Sequence, residues 1–346
     1  MLFLLALIAS LPLSPHPVRA EGKARTADTL TLSIENDSIA FGRKDRYYTH
    51  GSKLSWTSGN IAEYRDMEGI PPWMQRAIAK MPFVNESGEQ RSVSLSLVQG
   101  IYTPENKLRS DLIVNDRPYA GLTYLGLGLH SKNQRRMDTL ELDIGIVGRH
   151  SYAEDAQLWI HDLIEASDLR GWANQLHDEP IVNVCGERKW KAFKAGHSGG
   201  LGLDIIPHAG IAAGNGWTGL NMGGQMRFGW NIPNDFGTHL IRPGSNSNAP
   251  LDENDPRFFK SLPRWNIHLF FAVDGRYVAR NILLDGNTFR DSHSVDKKPF
   301  VVDFTGGIGV VIHRFKMTYA YVHRTKEFET QREDQEFGSV SVSYTF

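Results

Sequence analysis

The sequence has a single cysteine, Cys185, among 346 residues, so no internal disulfide staples the chain. It lacks any interior run of about 18 apolar residues, which excludes a membrane-spanning helix. Its net charge is -1, from 38 basic and 39 acidic residues, without the basic excess that a nucleic-acid binder carries. There is no Walker loop, dinucleotide fingerprint or His-Glu-x-x-His, so nucleotide and zinc-protease chemistries have no motif behind them.

What is present begins at the N-terminus. "MLFLLALIAS" is an apolar stretch, and Val18-Arg19-Ala20 puts small residues where a signal peptidase reads them. Residues 1–20 are therefore expected to be a cleaved export signal and residues 21–346 one mature domain. The basic residues that usually precede such a stretch are missing.

After residue 28 the recurring pattern is strict alternation. Leu30, Leu32 and Ile34 oppose Thr29, Thr31 and Ser33; Val93, Leu95 and Leu97 oppose Ser92, Ser94 and Ser96; Leu140, Leu142 and Ile144 oppose Thr139, Glu141 and Asp143. Each segment has one apolar and one polar face, as half-buried strands do. A soluble sandwich alternates too. Three features favour a membrane barrel: strands near the ~9 to 11 residues a tilted crossing needs, a final strand ending on Phe346, and aromatics near strand ends at Trp56, Tyr124, Trp230, Trp265 and Tyr319.

The pattern predicts an all-β, transmembrane, antiparallel barrel of about twelve strands, at 29–36, 50–58, 91–100, 121–131, 138–148, 198–211, 219–231, 264–274, 276–284, 299–311, 315–324 and 336–346. With the N-terminus in the periplasm, strand parity makes 37–49, 101–120, 149–197, 232–263, 285–298 and 325–335 extracellular, leaving short periplasmic turns. The exception is the long connection 59–90, with Pro71-Pro72-Trp73 and a predicted short helix at 74–81. A second helix is predicted over 154–176 in the third extracellular connection, where Leu158, Ile160, Leu163 and Ile164 form an apolar side. Gln157 and His161 are neighbours on it at i and i+4.

This topology gathers Asn36, Asp37, Thr49, Lys107, Gln157 and His161 at the outer rim. His161 is a candidate general base, since imidazole titrates near neutrality. Asp37 is a candidate ligand for a hard cation such as Ca²⁺, with the Asn36 amide oxygen beside it, and such a cation would stabilise the oxyanion of ester hydrolysis. Asn-Asp after a strand is also ordinary turn chemistry, and a loop histidine is often merely solvated. On these residues alone an enzyme, a pore and a structural barrel all remain open.

The order of motifs resembles the outer-membrane lipid A 3′-O-deacylase family (LpxR). An Asn-Asp ends the first strand and a Tyr-Thr-x-Gly opens the second. "IYTPENK" with its lysine, Asp116-Arg117, "DIGIVG" and Gln-x-x-x-His follow. The resemblance implies a twelve-stranded barrel with its site between the wall and a loop helix. It implies Ca²⁺-dependent removal of the 3′-linked acyloxyacyl group from lipid A of lipopolysaccharide, by a phospholipase A2-like mechanism. Carried onto this chain, it makes His161 the base, places Asn36 and Asp37 at the catalytic and metal centre, gives Gln157 and Thr49 supporting roles and sets Lys107 near the phosphorylated sugar. The expected location is the outer membrane with the site facing outward, and the expected state is a monomer in the bilayer that binds no nucleic acid.

Two rivals carry their own signals. "GHSGG" at 196–200 matches a serine-nucleophile signature and would suggest an outer-membrane phospholipase, but that motif needs strand, turn and helix, whereas Leu201, Leu203 and Ile205 continue as a strand. The other rival is a porin-like or structural barrel without catalysis.

Overall fold

Each strand carries a polar and an apolar face, and the sheet satisfies both by closing on itself. The computed structural model describes residues 27–40, 47–61, 63–64, 71–81, 83–85, 89–163, 170–242, 247–258 and 263–346, with the side chains of Met74 and residues 160–163 left out. The expected export signal lies outside the described residues. Strands run in the order β1 (Thr29–Asn36), β2 (Tyr47–Thr57), β3 (Gln90–Thr103), β4 (Ala120–Lys132), β5 (Arg136–Val147), β6 (Glu179–Trp190), β7 (Phe193–Gly196), β8 (Leu201–Gly214), β9 (Trp217–Trp230), β10 (Trp265–Asn281), β11 (Phe300–Ile312), β12 (Phe315–Arg324) and β13 (Gln335–Thr345).

Sequential strands pair antiparallel, β1 pairs with β13, and β6 pairs with β8 across the short β7, which hairpins onto β8. The wall is thus a closed barrel of twelve strands. Closure leaves no unpaired edge, the condition for a sheet to cross a membrane. Thr29, Thr31, Ser33 and Glu35 are buried toward the lumen, while Leu30, Leu32 and Ile34 are exposed on the outer face. The same apolar exposure recurs at Leu125 and Leu127, Leu142 and Ile144, and Phe228 and Leu269. In water such a belt would be costly at about 25 cal/mol per Å²; in a bilayer it is the matched surface.

The strand count agrees with expectation through two compensating departures. β6 was expected to be part of a long connection, because Glu187, Arg188 and Lys189 break its apolar rhythm. β10 was expected as two strands, because Gly275 interrupts it. The expected placement of residues 232–263 is therefore corrected. They lie at the end of the barrel where the termini sit, and the tight 215–216 turn lies at the far end. Tyr124 is corrected as well: it packs with Val98, Ile181 and Leu283 rather than joining an outer girdle.

Of the connection 231–264, the described residues 231–242 and 247–258 turn into the lumen. Asp235 takes hydrogen bonds from Lys316 Nζ at 2.7 Å and Arg257 Nη2 at 2.9 Å, and also pairs with Arg227. All four side chains are buried. Lys132 Nζ donates to the Pro250 carbonyl at 3.1 Å. Farther along, the Ile241 amide donates to Glu35 Oε1 at 2.7 Å, so the segment reaches from the termini end to the last turn of β1. Among the helices, α1 (Pro72–Ala79) lies in the 58–89 connection, α2 (Ala153–Leu163) in 148–178, and the four-residue α3 (Ile282–Asp285) caps the far end of the lumen. Residues 170–176, expected in the same helix as α2, are not α-helical, and residues 164–169 lie outside the described residues.

Candidate active site

The Tyr-Thr-x-Gly stretch shows how sequence builds the rim. A register shift between Tyr48 and His50 marks a β-bulge in β2 against β3, and bulges re-aim side chains. Tyr48 turns inward, where its hydroxyl donates to Glu35 Oε2 at 2.9 Å and its ring stacks on Tyr102. Gly51 is required because a Cβ there would occupy the position of the Tyr48 hydroxyl. Thr49 turns outward, its Oγ1 2.8 Å from Thr103 Oγ1.

Asn36 sits opposite, at the end of β1. Its Nδ2 donates to the Thr49 carbonyl at 2.8 Å, and its Oδ1 accepts from the Ser38 amide at 2.7 Å. It thereby N-caps the 3₁₀ turn Asp37–Ile39, the usual work of asparagine at that position. Asp37, the first residue of the turn, is buried.

The helix side is built separately. Gln157 is buried on α2, and its Oε1 accepts from Trp172 Nε1 at 3.0 Å. The Trp172 ring lies 5.3 Å from Tyr119, whose hydroxyl donates to the Lys107 carbonyl at 3.3 Å. Asp116 holds the Lys107 connection by accepting from the Glu105 and Arg117 amides at 2.8 and 2.7 Å, and burial raises its carboxyl pKa. The start of α2 is fastened to the wall: the Ser151 carbonyl accepts from Gln99 Nε2 at 3.0 Å and Thr123 Oγ1 at 2.8 Å.

The two halves meet along β3. Ile101 packs with Tyr119, Ala153 and Trp172, and Thr103 is the next outward residue on the same strand, about 7 Å away by strand rise. Asn36, Thr49 and Gln157 are thus held on one stretch of outer wall, and Lys107 belongs to the framework supporting it. His161 lies one helical turn after Gln157 on α2; its side chain is outside the described residues.

The sequence reasoning missed His50. It is the cross-strand partner of Asn36 on one side and of Ile101 on the other, so it sits in the middle of this surface. The signal was its place inside Tyr-Thr-x-Gly, between Thr49 and Gly51. Gln157 Nε2 is buried without a hydrogen-bond partner among the described residues.

No three His, Cys, Asp or Glu side chains converge as a metal-holding group among the described residues. The donors around Asn36 are the Asp37 carboxylate, the Thr49 and Thr103 hydroxyls and backbone carbonyls. In chemical type that set fits a hard, oxygen-seeking cation rather than a zinc-like ion. The Asn36 amide oxygen is already engaged by Ser38.

A lumenal cavity of about 110 Å³ lies across the wall, lined by Tyr48, Tyr102, Arg242, Arg276 and Arg324. Its guanidinium groups are paired, Arg276 and Arg324 with Asp303 and Arg242 with Glu187. Ser198 occupies a turn between β7 and β8, its hydroxyl 3.4 Å from Asn231 Oδ1, at the end of the barrel opposite α2; no helix follows it.

The family model described as outer membrane protein LpxR matches residues 2–346. The chain belongs to the LpxR family. It is accordingly an outer-membrane β-barrel. The solved structure of LpxR from Salmonella typhimurium shares 18% identity and superposes with a TM-score of 0.73, covering 92% of this chain and 100% of that one. At that identity the likeness shows the fold. The β domain of the Bordetella autotransporter BrkA shares 9% identity at a TM-score of 0.43, over 94% of this chain and 100% of its own. Among curated protein sequences no match to this chain is found.

Proposed function

We propose that this LpxR-family barrel is a lipid A 3′-O-deacylase, a carboxylic ester hydrolase that removes the 3′-linked acyloxyacyl group of lipopolysaccharide. The far end, with α2, faces the extracellular side. The observation that carries the reading is the polar cluster of Asn36, Thr49 and Thr103 at the rim of the outer face, directly beyond the exposed apolar tiers of Leu32 and Ile34. Their mutual hydrogen bonds hold them in fixed positions at the level of the rim. There an acyl chain lies along the wall while its ester reaches the rim.

His161 is the base that takes a proton from the attacking water. Asn36, whose amide is fixed at both ends by Thr49 and Ser38, orients that centre, and Gln157 Nε2 supplies a donor to the developing oxyanion. Thr49 fixes the bulge through Thr103. Lys107 contributes positive charge near a phosphorylated sugar. Ca²⁺ would be held by Asp37, with Asn36 joining if its oxygen leaves Ser38, and when bound would neutralise charge developing at the ester.

The test is a mass spectrum of lipid A from cells making the wild type beside cells making His161→Ala. Loss of the 3′ acyl group with the wild type alone supports the reaction and the base. Retained activity in the variant would sink the mechanism. Unchanged lipid A in both, with the barrel folded and calcium supplied, would move the assignment to a phospholipase or a barrel without catalysis. The described parts of the lumenal connection, tied to the wall through Asp235 and Ile241, argue against an open pore.

A further inference from the structure

The connection 58–89 has no role in the proposed reaction, and its described part does something unusual for a turn: it folds back against the outer wall. Tyr64, Ile78 and Val84 pack on Val93 of β3 and Leu129 of β4, with Ile61, Met81 and Phe83 alongside and Leu140 of β5 beneath. The Tyr64 hydroxyl donates to the His130 carbonyl at 2.7 Å, the Ile61 amide to the Arg91 carbonyl at 2.8 Å, and the Arg188 guanidinium sits 5.0 Å from the Phe83 ring. The tier covered is the lowest of the apolar wall. One step higher, Leu127 and Leu142 remain exposed.

Elsewhere that tier is aromatic. Trp56, Trp190, the stacked pair Trp230 and Trp265, Phe315 and Tyr344 face outward near the termini end, as the interfacial girdle of a membrane barrel does. Across β3 to β5 the girdle is missing, because the outward residues there are Arg91, Val93, Leu129, Ser131, Asp138 and Leu140. The folded-back connection covers that gap with buried Tyr64 and half-buried Phe83, and α1 joins the same cluster through Ile78. On α1, Ile78 is buried toward the wall, while Trp73 is 64% exposed and Arg76 is exposed, as is Lys80 at the helix C-cap.

We propose that α1 is an interfacial anchor, lying in the headgroup region of the leaflet at the termini end with Trp73 among phospholipid acyl chains and Arg76 and Lys80 beside the phosphates. The girdle is thereby completed by an insertion instead of by the strands. A phospholipid surface is the occupant because α1 continues a lipid-facing wall at the level of the girdle, and because Trp with nearby cations is the composition of interfacial helices. The inference needs only that the barrel spans a membrane and is independent of the deacylase reading.

The full chain, in a Cys185→Ala background, would be spin-labelled at Trp73→Cys, at Leu127→Cys as a lipid-facing control and at Asp291→Cys as a water-facing control. Each would be reconstituted in phosphatidylethanolamine–phosphatidylglycerol vesicles, with folding checked by heat-modifiable migration. The expected result is loss of collisions with a water-soluble nickel chelate at position 73 relative to 291, with oxygen accessibility between the two controls. Nickel accessibility at 73 equal to that at 291 would overturn the proposal. No lipid A is measured, so its failure would not be mistaken for failure of the enzyme assignment.

Discussion

Glu35 and Asn36 are consecutive on β1 and serve opposite sides of the wall. Glu35 accepts from Tyr48 and from the Ile241 amide inside the barrel, while Asn36 donates to the Thr49 carbonyl outside it. The lumenal segment and the candidate site are therefore braced against the same peptide unit. The bulge in β2 makes this possible by sending Tyr48 inward and Thr49 outward.

Asn36→Ala removes both a cap and the donor to Thr49. It should lower stability by about 1 kcal/mol and 3′ deacylation on the order of 10²-fold. Asn36→Asp keeps the cap acceptor and loses the donor, so it should recover stability without recovering activity. Thermal midpoints in detergent and lipid A mass spectra separate the two effects.

Gly121 is where α2 approaches the wall. A Cβ there would collide with Ser151 Oγ and Ala153 Cβ. Gly121→Val should push the start of α2 outward and abolish deacylation while heat-modifiable barrel migration is retained. Full activity in this variant would mean that the seating of α2 does not matter.

Asp235 faces three buried cations, Arg227, Arg257 and Lys316. Asp235→Asn leaves them without their shared counter-charge, a loss expected at roughly 3–5 kcal/mol. The lumenal segment should loosen. A lower temperature for the heat-modifiable shift and new ion conductance in planar bilayers are the readouts.

Lys191, in the turn after β6, lies with Nζ 2.6 Å from Asn234 Oδ1 and 4.8 Å from the Phe236 ring. Burial, and then the nearby Arg227 and Lys194, push its pKa down to about 7, against about 10.4 in an unfolded chain. Between those values the unfolded state binds more protons, so stability should rise as pH is raised through that window and be insensitive to this group below it. Lys191→Met should flatten the rise, measured as urea midpoints in micelles from pH 7 to 10.

The barrel was legible in the sequence because its two faces meet different surroundings, a polar lumen and lipid, and alternation records both. β1 runs over the expected residues, and closure needs no signal beyond repetition. β6 was hidden because Glu187 and Lys189 look into the lumen at Arg242 and at His239, partners that belong to a segment about fifty residues away. The lumenal course of 231–264 left no local trace for the same reason. At the site, Asn36, Asp37 and Gln157 were legible from their order, while the outward turn of Thr49 depends on a bulge that breaks the alternation used to find strands. His50 was overlooked because its importance lies in the register.

The seam of the barrel has a consequence for biogenesis. Asn36 pairs with His50 on one side and with Gly338 on the other, and a Cβ at Gly338 would strike Ile39 of the turn that Asn36 caps. The surface proposed to cut lipid A thus straddles the joint between β1 and β13, strands about three hundred residues apart in the sequence. Until the barrel closes there is no such joint and hence no assembled centre. On the proposed reading, assembly of the centre and closure of the barrel become one event.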